Sequence, residues 1–188
     1  MKISILLPYK ENFSPSYPGA VSLFLRDTIK LSKYRNIIHV YGNTSFKKKL
    51  IKNYVNLNFK KFFFKSSTKS YLKEFIEIEK NKKSDLIEIH NRPDYVNPIY
   101  NENKNLILYF HNNPLEMKSS KTLNDRINIL HKTKKIVFNS NWTLNKFKVG
   151  LKKKYYSNKL SVIKQSTNKK KVNFKNKQKI ILFVGRLN

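Results

Sequence analysis

Apolar runs of strand length recur along the chain, separated by more polar stretches that carry an apolar stripe at helical spacing. The strand-length runs are Lys2 to Leu7, Asn36 to Tyr41, Leu57 to Phe63, Asp85 to His90, Asn105 to Phe110, Lys135 to Asn139, Lys159 to Ile163 and Lys179 to Val184. Several of them (IIHVY, LILYF, KIVF, KIILFV) are apolar at nearly every position, as strands covered on both faces must be. The stretches between them predict helices over Val21 to Lys33, Ser70 to Lys82, Thr122 to Lys132 and Asn141 to Lys153, the last capped by Ser140 or Asn141. Pro93 to Tyr95 predicts the opening of a further helix. Strands alternating with helices in this way predict an α/β, Rossmann-like, doubly wound fold with a mostly parallel sheet.

At 188 residues the chain has room for one well-buried α/β domain. That domain is expected over residues 1–164. The lysine-rich stretch Gln165 to Gln178 reads as a solvated linker, and residues 179–188 read as the first strand of a second domain. A strand with no following helix leaves apolar faces without partners, so the expectation is a fragment cut shortly after that strand.

Composition narrows the class. Hydrophobic residues at 39% and aromatics at 13% supply enough apolar surface for a packed core and argue against disorder. The chain has no cysteine, which excludes a disulfide framework, thiolate metal sites and a cysteine nucleophile. The opening MKISILLPYK is too short an apolar run for a secretory segment, and no window reaches the roughly 18 apolar residues of a membrane span. The expectation is a cytoplasmic protein, soluble or peripheral on the inner face of the cell membrane.

Charge opens two readings. A net charge of +29 suits a polyanionic partner, either nucleic acid or an anionic membrane surface. Yet Arg26, Arg35, Arg92, Arg126 and Arg186 are the arginines, and the rest of the forty basic residues are lysines alongside abundant Asn, Ile, Tyr and Phe. Nucleic-acid sites favour arginine for bidentate and stacked contacts, so compositional drift with some membrane-surface attraction is the preferred account.

In open α/β sheets ligands bind outside the carboxyl ends of the strands, so the informative residues follow each strand. After the first comes a long loop, Tyr9 to Pro18, closing on Gly19 and Ala20, either a phosphate or sugar contact at a helix start or a plain loop. The fourth strand ends in EIHNRPDYV, presenting His90, Asn91 and Arg92, and the fifth ends in YFHNNPLEM, presenting His111, Asn112 and Asn113. These amides and imidazoles suit a hydroxyl-rich ligand; alternatively they are satisfied loop residues, as assumed for His39 and His131. No Walker-type loop, GxGxxG, Gly-x-Ser-x-Gly elbow, HExxH or Asp-x-Asp pair is present, so hydrolase and metalloenzyme readings have little support.

Five segments in order resemble the retaining glycosyltransferases of family four, which have the GT-B architecture of two facing Rossmann-like domains. They are Pro18-Gly19-Ala20, EIHNRPDYV, YFHNNPLEM, KIVFNSNWTLNKF and IILFVGRL. The resemblance implies the N-terminal, acceptor-side half of a hexosyltransferase-type enzyme, with the C-terminal domain missing after its first strand. It implies transfer of a sugar from a nucleotide-sugar donor to a glycan or lipid-linked acceptor, in lipopolysaccharide or another surface polysaccharide. It also implies His111 as the catalytic residue, Arg186 on the donor diphosphate, and Gly19, Ala20, His90, Asn91, Arg92 and Asn112 as substrate contacts, with no metal and no cofactor beyond the donor. Ala20 departs from the family's second glycine, and Ile163 to Ser166 replace its Pro-Asn-Gly turn. Two rivals stand beside this reading. One is a basic nucleic-acid-binding α/β protein that uses the clusters at Lys47, Lys152 and Lys169; the other is a non-catalytic sugar-binding relic.

Overall fold

The structure, a computed structural model, describes residues 1–59, 66–155 and 158–165. Within them the strands are β1 (Ile3–Leu6), β2 (Ile38–Gly42), β3 (Tyr54–Asn56), β4 (Leu86–His90), β5 (Leu106–Phe110), β6 (Lys135–Phe138) and β7 (Leu160–Val162). The helices are α1 (Ala20–Leu31), α2 (Ser67–Asn81), α3 (Val96–Tyr100), α4 (Leu123–Lys132) and α5 (Asn141–Lys148). The strands form one sheet in the order β3-β2-β1-β4-β5-β6-β7, and every neighbouring pair is parallel.

This order reverses once. The chain steps outward from β1 through β2 to β3, then crosses back over β1 and steps the other way from β4 to β7. Right-handed crossovers place helices on opposite faces for the two directions of travel. Accordingly α1 packs Val21, Leu25 and Ile29 on Ile3, Ile5, Leu7, Ile38 and Val40 on one face. The other face holds the larger core, in which Tyr71 and Phe75 of α2, Val96 and Ile99 of α3, Ile129 of α4 and Phe147 of α5 cover Leu6, Ile87, Ile89, Leu108 and Phe138. The doubly wound, Rossmann-like α/β fold read from the alternation is the fold observed.

Element ends differ from expectation for local reasons. The expected strand from Leu57 to Phe63 is not a strand at Leu57 to Phe59, and its remainder lies outside the described residues. The pairing falls instead on Tyr54–Asn56, half-buried throughout at the sheet edge, while Leu57 is buried as a loop residue. Helix α5 stops at Lys148 rather than Lys153 because Gly150 takes φ +75°, a left-handed turn that ends helices, although Leu151 still reaches the core. Of the two candidate caps, Ser140 is the one used; it accepts from the Thr143 N–H at 3.1 Å. Pro93–Tyr95 form a single tight turn that runs on into α3.

Buried polar groups lock the layers together. At the amino ends of the strands the carboxylate of Glu79 accepts from Ser4 Oγ at 3.0 Å, Ser84 Oγ at 2.8 Å, the Ser84 N–H at 2.9 Å and Lys2 Nζ at 3.3 Å. That set satisfies a side chain that would otherwise be costly to desolvate. At the carboxyl ends the fully buried Tyr71 hydroxyl donates to the Leu7 carbonyl at 2.8 Å, fixing the point where β1 leaves the sheet. None of the described helices is long and apolar enough to cross a membrane.

Tyr71→Phe removes that donor and strands the Leu7 carbonyl in the core. The expected cost is about 1–3 kcal/mol by urea unfolding; an unchanged unfolding midpoint would show that the bond does not anchor the loop.

Candidate functional site

The strand order sets the place. Because all strands are parallel, their carboxyl ends share one rim, and because β1 and β4 are neighbours while their following loops diverge, a crevice opens there. A cleft of about 390 Å³ lies at this point, lined by Glu11, Gly19 and Ala20 from the loop after β1, Asn91 after β4, His111 and Asn112 after β5, Asn139 after β6 and Gln165 after β7. A second hollow of about 450 Å³ shares Glu11, Asn91 and Asn112 with the first and adds Lys10, Arg92, Asp94, Glu116 and Lys118. One end of the groove is therefore amide-rich with the Glu11 carboxylate at its edge, and the other carries charges of both signs.

Asn91 is the joint between loops. It takes φ +55°, a left-handed conformation that asparagine tolerates better than most residues. From there its Oδ1 accepts from the main-chain N–H groups of His111 and Asn112, both at 3.2 Å, and its own N–H donates to the Tyr109 carbonyl at 2.7 Å. Asn139 holds the same loop from the far side. Its Nδ2 donates to the His111 carbonyl at 2.8 Å while its Oδ1 accepts from Thr143 Oγ1 at 2.7 Å, an arrangement that fixes which way the amide points.

The His111 ring is clamped between aromatic surfaces. Tyr109 stacks on it with centroids 4.5 Å apart and planes 13° apart, and Phe24 of α1 meets it edge-on at 5.4 Å. Burial, together with the neighbouring His90, holds the His111 pKa down to about 3, so the ring is neutral near pH 7. Burial likewise pushes the Tyr109 hydroxyl up to about 12, where it stays protonated and donates to the Ile163 carbonyl at 2.8 Å.

The sequence-predicted residues divide into three groups. Gly19, Ala20, Asn91, His111 and Asn112 come together in the amide-rich cleft, and Arg92 lines the adjoining charged hollow, its guanidinium 6.0 Å from the Tyr95 ring. His90 was expected to line the cleft but is fully buried, lying behind His111 with Nδ1 2.9 Å from His111 Nε2. The reason is the two-residue period of a strand, which turns His90 onto the α1-covered face beside Tyr109. Arg186, the expected strand at Lys179 to Val184 and the expected linker beyond Gln165 lie outside the described residues.

Sequence reasoning missed Glu11, Asn139 and Gln165. Asn139 and Gln165 follow β6 and β7 and obey the strand-end rule already applied to β4 and β5. Glu11 carries no such signal, and its placement is tertiary: its Oε1 accepts from both the N–H and the Oγ of Ser22, each at 3.1 Å, so a carboxylate occupies the positive end of α1. Gly19, the N-cap, has an ordinary extended backbone (φ −77°, ψ 163°), so its glycine matters for space: it leaves room for the Glu11 carboxylate, which a Cβ there would displace. Among the described residues no three His, Cys, Asp or Glu side chains converge as a metal cage does.

A scan of protein-family models finds no match to this sequence, and a search of curated proteins finds none either.

The Glu11 seat makes a non-additive prediction. Gly19→Ala displaces the carboxylate from α1 and should cost ~1 kcal/mol, the scale of a lost helix cap. In a Glu11→Ala background the same change should cost close to nothing, and additive costs in the double-mutant cycle would refute the overlap.

The neutral His111 gives a pH dependence of definite sign. Its unfolded value is near 6.5 and its folded value about 3. Above pH 6.5 both states are uncharged there and the group contributes no slope. As pH falls below that value only the unfolded chain takes the proton, and stability declines until the pH approaches the folded value. Urea unfolding from about pH 7 to about pH 5 should show a slope steeper than that of His111→Gln by at most ~1.4 kcal/mol per pH unit; equal slopes would contradict the assignment.

Proposed function

We propose that this chain supplies the acceptor-side half of a sugar-nucleotide-dependent, retaining glycosyltransferase, and that its cleft receives the hydroxyl-rich part of the substrates. The observation that carries this reading is the gathering of Asn91, His111, Asn112, Asn139 and Gln165 at the rim where the strand order reverses. These are neutral groups able both to donate and to accept, which suits hydroxyls rather than a purely anionic ligand. The five segments that resemble family four supply the reaction class. In this reading His111 lies beside the transferred sugar, Arg92 and Lys10 favour the charged portion of a ligand in the adjoining hollow, and Arg186 contacts the donor diphosphate.

Chemistry at such a centre consists of orienting hydroxyls and stabilising the charge that develops at the anomeric carbon and the departing phosphate. A clamped, uncharged His111 holds its ring at a fixed distance from the sugar without spending a proton. The acceptor is a glycan or lipid-linked saccharide, and the lysine-rich exterior suits work beside an anionic membrane face.

Nuclear magnetic resonance titration with nucleotide sugars and with neutral saccharides tests the reading. Signals of Asn91, His111, Asn112 and Asn139 should shift together, and His111→Ala should weaken binding roughly tenfold, the scale of one or two hydrogen bonds. Steeply salt-dependent binding of generic DNA, with no response to any sugar, would instead favour a nucleic-acid-binding protein.

A further inference from the structure

Behind the cleft three titratable side chains stand in line, and the one farthest from the cleft, Glu88, has no place in the reading above. Glu88 and His90 are two residues apart on β4 and therefore face the same side of the sheet. Glu88 Oε1 lies 2.5 Å from His90 Nε2, and His90 Nδ1 lies 2.9 Å from His111 Nε2. The remaining nitrogen, Nδ1 of His111, points to the cleft, where Gln165 Nε2 sits 3.1 Å away. His90 is completely buried, and Phe24 and Tyr109 hold both imidazoles by ring contacts.

Started from an ionised Glu88 and a singly protonated His90, the line assigns one tautomer to each ring. A carboxylate can only accept, so Nε2 of His90 carries the proton that bonds to Glu88. With a single proton on His90, its Nδ1 keeps a lone pair and accepts from His111, which places the His111 proton on Nε2. His111 then presents a bare Nδ1 to the cleft, consistent with the amide donor of Gln165 beside it.

We infer that Glu88 is a positioning residue which, through His90, fixes His111 as a hydrogen-bond acceptor at the cleft, so that the ligand group seated there, in place of the exposed Gln165 amide, is a hydroxyl that donates. This deepens the saccharide reading and rests on it for the identity of the ligand. It also sharpens the selection, because a fully ionised phosphodiester or a carboxylate has no proton to offer and meets a lone pair at that point. Anionic parts of a ligand are thereby directed to the Arg92 end of the groove.

The chain without ligand decides the relay. Long-range proton–nitrogen spectra of the histidine rings near neutral pH should show His90 and His111 both protonated at Nε2 and bare at Nδ1. A proton on His111 Nδ1, or a doubly protonated His90, would overturn the assignment without any variant having to fold. Glu88→Ala should break the uniform tautomer at both rings, and Glu88→Gln, whose amide oxygen still accepts, should restore it; tautomers unmoved by Glu88→Ala would remove Glu88 from the role. Addition of glucose or of dimethyl phosphate, an anion with no proton to donate, then separates the two readings. A shift at His111 Nδ1 with glucose and none with dimethyl phosphate supports the acceptor role, and the reverse pattern overturns it. Expected tautomers without any saccharide response would leave the relay standing and sink the saccharide reading alone.

Discussion

Hydrogen bonding of β4 to β1, rather than to the strand that precedes it in the chain, is the constraint on which the rest of the structure hangs. Since β1 already pairs with β2, the arrival of β4 on its free edge forces the chain to build outward in both directions from one central pair. Right-handed crossovers then send α1 to one face and α2 to α5 to the other. The loops after β1 and β4 leave the sheet on opposite faces, and the space between them cannot be filled by either. A crevice at that point is a geometric result of the winding, before any side chain is specified.

Side chains turn the crevice into a rigid polar wall. A polar group in a packed interior is expensive unless bonded, and the groups behind this rim are bonded to one another. Tyr71 secures the start of the first loop through the Leu7 carbonyl, and the Tyr9 N–H donates to the Tyr95 hydroxyl at 3.1 Å, tying that loop to the turn after β4. Asn91 and Asn139 hold the His111 loop from its two sides. The stacked rings of His90, Tyr109 and His111 have little freedom left, so the cleft face of His111 is set before a ligand arrives.

Charge and site are separate matters in this molecule. The net charge of +29 comes mostly from lysines, whereas the half of the groove around His111 is lined by amides, an imidazole, glycine, alanine and the carboxylate of Glu11. Glu11 places a negative group on the amino end of α1, where a resemblance based on Pro18-Gly19-Ala20 would seat a phosphate. The basic residues that border the groove are Lys10, Arg92 and Lys118, in the charged hollow. The lysine excess seen in the composition is therefore not what lines the half of the groove around His111.

The amino-acid sequence alone determined the class of fold and the rim. Both-face burial leaves an unbroken apolar signature in IIHVY, LILYF and KIVF, and the polar residues that end such strands must lie where the sheet stops, which placed Asn91, His111 and Asn112 correctly. It was weaker where a strand is short and marginal, as at β3, whose half-buried Tyr54–Asn56 pattern is fainter than the apolar run that follows it. Only the tertiary structure decided which strands are neighbours, that His90 stands behind His111 rather than beside it, that Glu11 lines the cleft and that Glu88 meets His90. Those facts depend on contacts between residues as far apart as Leu6 and Ile89, made through space by a reversal of strand order. Local periodicity reports which face a residue takes, and carries no record of the neighbour it meets there.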